Sequence, residues 1–142
     1  MGLDVSHDCW HGAYSAFSRW REQLARVAGY EIAKVTWKDS DSFMNGRDTV
    51  LIDWGHITEA QLMGDWDETP ADPLLVLIAH SDCEGRIRLA QAGPLADRLT
   101  ELLPLLPDGD APGHIGNWRT KTQAFIDGLR AAVEAGEDVE FA

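Results

Sequence analysis

Between residues 12 and 28, hydrophobic positions recur at three- and four-residue steps: Ala13, Phe17, Trp20, Leu24 and Val27. That spacing places them on one face of a helix, with Arg19, Glu22, Gln23 and Arg26 largely turned to water. Gly29 is a natural stop. The pattern then changes. Ile32, Ala33, Val35 and Trp37 predict a short strand with imperfect alternation, and the polar, Gly/Asn-containing stretch 38–47 predicts a loop. The β-branched and apolar run 49–54 predicts a second strand. Thr58-Glu59-Ala60-Gln61 has the form of a capping box, opening a brief helix that Gly64 closes.

Two prolines mark 65–73 as a loop, and the most hydrophobic run follows it: Leu74-Leu75-Val76-Leu77-Ile78-Ala79. Its length suits a buried strand, yet an unbroken apolar run has no period, so a buried helix fits as well. Pro94 suits the first turn of a helix whose stripe is Leu95, Leu99, Leu102, Leu103 and Leu106, and Pro104 and Pro107 end it. A Pro/Gly/Asp loop over 107–116 leads to Asn117, the N-cap of a last helix. Trp118, Phe125, Ile126, Leu129 and Val133 share a face of that helix, Gly136 ends it, and Val139 and Phe141 form a terminal strand or pack the tail. Three main helices and three to four short strands predict a single α+β (or α/β) domain over 1–142, with helices packed on a small sheet in two layers.

Composition narrows the partners. A chain of 142 residues, 44% hydrophobic with 6 Trp, can bury a full core without a staple. Its 12 basic and 24 acidic side chains give a net charge of −12. That balance speaks against direct nucleic-acid binding and against an anionic membrane surface, both of which need Lys and Arg. It admits a cationic partner, a metal ion or mimicry of a polyanion. Two cysteines, Cys9 and Cys83, do not make a disulfide scaffold. No basic-then-apolar leader and no run of about 18 apolar residues is visible, so the cytoplasm is the expected compartment.

Reactive side chains concentrate in two segments, Asp4-Val5-Ser6-His7-Asp8-Cys9-Trp10-His11 and His80-Ser81-Asp82-Cys83-Glu84-Gly85. His7 or His11 with Cys9, and His80 with Cys83, would offer zinc two imidazoles and two thiolates, with Asp8 and Asp82 orienting the rings. His80 beside Cys83 would make an activated thiolate nucleophile if the two side chains meet. A polar ligand pocket needs no covalent chemistry: Asp4, Ser6, His7, Ser15, Arg19, His80, Ser81, Asp82 and Cys83 are its candidate lining. Ser15 and Arg19 stand four apart on one helix face, and an arginine there can clamp a carboxylate or phosphate. His56 and His114 are lone loop histidines, more often surface or capping residues than site residues. No phosphate loop, GxSxG, HExxH or EF-hand pattern is present.

Four stretches carry a family resemblance: Gly2-Leu3-Asp4-Val5-Ser6-His7, Gly12-Ala13-Tyr14-Ser15-Ala16-Phe17 with Arg19, Ala79-His80-Ser81-Asp82-Cys83-Glu84-Gly85, and Gly136-Glu137-Asp138-Val139-Glu140-Phe141. Together they resemble a group of small uncharacterised proteins of bacteria, notably actinobacteria, and of their phages. The resemblance implies a cytoplasmic, phage-encoded protein and no particular activity. It also implies variation at Cys9 and His11, which shifts weight to Asp4, His7, His80, Asp82 and Cys83. The expected function is therefore a non-enzymatic domain that binds a ligand or a host protein through a His/Asp/Cys cluster. The alternative is a zinc- or thiol-dependent hydrolase using His7, His80, Asp82 and Cys83. A homodimer is compatible with either reading, and both rest on the two segments meeting in space.

Overall fold

The computed structural model describes residues 2–34, 48–109 and 116–142. Strands β1 (Gly2–Val5) and β2 (Trp10–Ala13) form a hairpin that runs directly into helix α1 (Tyr14–Val27). A two-stranded ribbon follows, β3 (Ile32–Lys34) with β4 (Asp48–Val50), and then two single-turn helices, α2 (Glu59–Leu62) and α3 (Leu75–Ile78). Strand β5 (Gly85–Ile87), helix α4 (Leu89–Leu102), helix α5 (Trp118–Ala135) and strand β6 (Val139–Phe141) complete the chain. The main sheet is antiparallel with strand order β2-β1-β6-β5. This is an α+β fold of two layers.

Alternation makes the sheet two-faced. Leu3, Val5, Trp10, Ile87, Val139 and Phe141 are buried on its inner side. They meet Phe17, Trp20 and Leu24 of α1, Leu95 and Leu99 of α4, and Phe125, Ile126 and Leu129 of α5, all in one core cluster. Full burial of each such side chain is worth about 1.5–3 kcal/mol. Asp4, His11, Arg86 and Glu140 alternate with these residues and are exposed on the opposite face, which no helix among the described residues covers. Helix α5 comes close to the hairpin because position 128 is glycine: a β-carbon there would lie 2.8 Å from the His7 carbonyl oxygen and 3.0 Å from Cys9 Cα.

Several predicted elements are found as expected. Thr58 and Gln61 form a reciprocal capping box, Asn117 accepts the Arg119 and Thr120 N–H groups, and Gly136 caps α5 in the left-handed region at φ 68°. Other expectations are corrected. The run 74–79 holds helix α3 and not a strand. Asp72 accepts the Leu74 N–H at its side chain and the Leu75 N–H at its carbonyl, which begins a turn. Leu74 and 76–79 are all buried, so no helical period shows in the sequence. Helix α4 begins five residues before Pro94, because the Asp138 carboxylate accepts the Leu89 N–H at 2.7 Å from across the fold. The strand expected over 49–54 is only Asp48–Val50, and Asp53 caps a single 3-10 turn, Trp54–His56. Residues 35–37 of the first predicted strand, the loop 38–47 and His114 lie outside the described residues.

Candidate functional site

The hairpin turn carries the first segment. Cys9 N–H donates to the Ser6 carbonyl at 3.3 Å, and the two central residues, His7 and Asp8, have φ of 60° and 59°. Positive φ at both central positions is the type I′ geometry, whose twist matches that of a hairpin. Glycine fits it with least strain, and Asn, Asp and His are the side chains that tolerate it best, so the turn can display an imidazole and a carboxylate.

Around that turn, imidazoles and carboxylates interleave. His11 Nδ1 lies 2.8 Å from Asp4 Oδ1 and its Nε2 lies 3.0 Å from Asp8 Oδ1, all three side chains being exposed. Asp4 and His11 are directly opposed across β1 and β2. The hydrogen bonds from Asp4 and then Asp8 raise the pKa of His11 above the ordinary histidine value. His7 Nδ1 pairs with Ser6 Oγ at 2.9 Å and its Nε2 with Glu137 at 3.2 Å. Ser6 Oγ in turn accepts the Glu140 N–H. Ser6, His7, Glu137, Asp138 and Glu140 line a shallow cleft of about 390 Å³. A larger concavity of about 680 Å³ between Leu103, Pro104 and the first half of α5 holds none of the residues singled out from the sequence.

The second segment does something different. His80 is 3% exposed and stacks on Phe141 with ring centroids 4.1 Å apart. Its Nδ1 faces the Ser81 carbonyl and its Nε2 the Arg86 carbonyl, both at 2.7 Å. A neutral ring donates to only one of these. Burial, joined by the charge of Arg21, lowers the His80 pKa, and the two carbonyls oppose that shift. Arg21 itself, absent from the sequence expectations, is the half-buried cation of this region. Its Nη1 donates to the carbonyls of Leu77, Ile78 and His80, closing the C-terminal end of α3. It lies 4.6 Å over the Phe17 ring, and burial pulls its pKa down to about 10.

The turn that holds His7 and the turn that follows His80 sit at opposite ends of β6. His7 contacts Glu137, ahead of that strand, whereas the second turn leads into Gly85, which pairs with Phe141 near its end. His80 does not line the His7 cleft. The two-Cys, two-His set is therefore not assembled. Cys9 is 1% exposed against α5, and burial, then Asp8, pushes its thiol up to about 12. Among the described residues no group of three or more His, Cys, Asp or Glu converges as metal ligands. Cys83 is exposed, with its sulfur 3.5 Å from Ser81 Oγ, and both nitrogens of His80 are committed to main-chain carbonyls. Ser15 and Arg19 are exposed on α1, and Asp82 is half-buried near Arg21. No family model matches the chain, and no curated protein or solved structure matches it either.

The thiols allow a direct check. Ellman's reagent should titrate one thiol, Cys83, at once in the native protein, and Cys9 only on unfolding. Rapid reaction of both would contradict the burial of Cys9.

The sequence passes over the residues that organise the hairpin face: Asp8 and His11 as partners, and Glu137 and Glu140 across the turn. The signal was present in the alternation of Asp4 with Leu3 and Val5, which puts Asp4 on an open face. No helix among the described residues is long and apolar enough to cross a membrane.

Proposed function

We propose that this protein is a non-enzymatic binding domain that captures a cationic protein partner on the open face of its sheet. The supporting observation is the His11 imidazole held between the Asp4 and Asp8 carboxylates on an exposed, helix-free surface. A chain of net charge −12 attracts basic partners at long range, and this cluster supplies a local focus for them. A phage protein that intercepts a basic host protein is the specific form of this reading. The hydrolase alternative gains no support, since thiol and imidazole are not paired.

His11 makes the binding pH-dependent. While the ring is neutral, the two carboxylates present two negative charges, and its protonation reduces that to one. Affinity for a cation should therefore fall as pH drops through the raised His11 pKa. Calorimetric titration with octalysine at low salt tests this. Asp4→Asn combined with Asp8→Asn should weaken binding at least tenfold, and His11→Asn should remove most of its pH dependence above the carboxylate range. Removing two carboxylates elsewhere, Asp127→Asn with Glu134→Gln, should change it little. Equal losses for the two pairs would reduce the effect to net charge and remove the site.

A further inference from the structure

Main-chain hydrogen bonds show which way each strand of the sheet faces. Asp4 and Ala142 exchange both bonds, at 3.0 and 2.9 Å, and the Ser6 N–H donates to the Glu140 carbonyl at 2.8 Å. The main-chain groups of Asp4 and Ser6 thus point to β6, and those of Leu3 and Val5 point to β2. Because Asp4 stands opposite His11, the N–H and C=O of His11 face away from β1, along the outer edge of the sheet. The same logic turns the N–H and C=O of Arg86 outward at the other edge, since Glu140 opposite it bonds to β1.

The two edges are treated differently. At β5 the fold closes the edge: the Arg86 N–H donates to the Met63 carbonyl at 3.0 Å, and His80 Nε2 lies 2.7 Å from the Arg86 carbonyl. At β2, no main-chain group among the described residues pairs with the His11 N–H or C=O. The residues that follow, Gly12 and Ala13, are small and exposed. An open strand edge is a template for another strand, and proteins normally blunt it. Among the described residues, such a closure is found at β5 and not at β2.

We infer that the β2 edge is the docking strand for an extended, cationic segment of the partner protein, which joins the sheet as a fifth strand. The inference rests on the reading given under Proposed function and adds its geometry. The main-chain groups of His11 set the register. The partner residue opposite His11 places its side chain on the same face as His11, and a Lys or Arg there reaches Asp4 and Asp8. Charge selects against a second copy of this chain, which would bring its own −12 and the same carboxylates to the junction.

The test uses the full chain and two peptides of alternating Lys and Val, one plain and one N-methylated at every second residue. The methyl groups remove the donors along one edge and leave the charge intact. Amide exchange followed by NMR should show the His11 N–H slowed at least tenfold by the plain peptide, with Arg86, already bonded, unchanged. The methylated peptide should bind at least tenfold more weakly, and Asp4→Asn with Asp8→Asn should weaken the plain one. Equal binding of both peptides with His11 exchange unaffected would overturn strand addition while leaving capture of cations on this face standing. Binding indifferent to Asp4 and Asp8 would overturn both readings. Slowed His11 exchange in a peptide-free dimer would assign the edge to a second copy and overturn the proposal.

Discussion

Gly64→Ala is expected to leave no stably folded protein at room temperature. A β-carbon at position 64 would fall inside the Arg86 carbonyl and 3.2 Å from His80 Nε2. Neither neighbour can retreat, because that carbonyl is held by His80 and the Arg86 N–H is bonded to Met63. Gly64 also sits at φ 92°, which side chains other than glycine rarely adopt. A main-chain collision combined with this strain belongs to the rare substitutions costing more than about 4 kcal/mol. That is a large share of a stability on the order of 5–15 kcal/mol. Gly93→Ala makes the contrast: beyond its chain neighbours its β-carbon meets nothing within 4 Å inside α4, and crowding by the following Pro94 offsets the gain in helix propensity, so stability should change by less than about 1 kcal/mol. Urea unfolding of the two variants checks both, and a well-folded Gly64→Ala protein would mean that the segment 62–64 does not press against β5.

Arg21→Met should cost about 1–3 kcal/mol, the range for leaving buried acceptors without their donor. The substitution keeps the apolar stem beside Phe17 and removes the donor shared by the Leu77, Ile78 and His80 carbonyls. Those carbonyls end a four-residue helix that has no other side-chain cap. Arg21→Lys should recover only part of the loss, since a single ammonium group lacks the planar fork of the guanidinium. Arg19→Met, on the exposed side of the same helix, should be nearly neutral. Denaturant midpoints of the three variants decide the matter, and equal stability of Arg21→Met and Arg19→Met would refute the capping role.

Local signals were legible wherever the chain supplies its own instructions. The stripes of α1 and α5, the Thr58 capping box, Asn117 and Gly136 depend on residues close in sequence, and they appear where the pattern places them except at the two stripe ends: Ala13 lies in β2 and Val133 is exposed. What was not legible depends on remote partners. The start of α4 is set by Asp138, 49 residues away, and β5 is three residues long and recognisable only beside β6. The run 74–79 is buried so completely that its period is lost. Arg21 was overshadowed by Arg19, although Arg21 stands four residues after Phe17 and so borders the apolar stripe. At the candidate site, Asp4 and His7 were picked out for their chemistry. Their true companions, Asp8, His11 and Glu137, depend on hairpin register and on the return of the C-terminus. His80 looked reactive by composition, and its role as an edge closure requires knowing that Arg86 faces outward.

Trp10 lies in the very strand whose edge is open, and its indole stacks on that of Trp20 at 5.2 Å with the planes 29° apart. Two indoles so arranged couple their excited states, so the pair should give a paired positive and negative band in circular dichroism. A strand added to β2 that tilts the hairpin against α1 would alter that couplet. The molecule therefore carries an optical reporter of its own sheet edge, readable without any label.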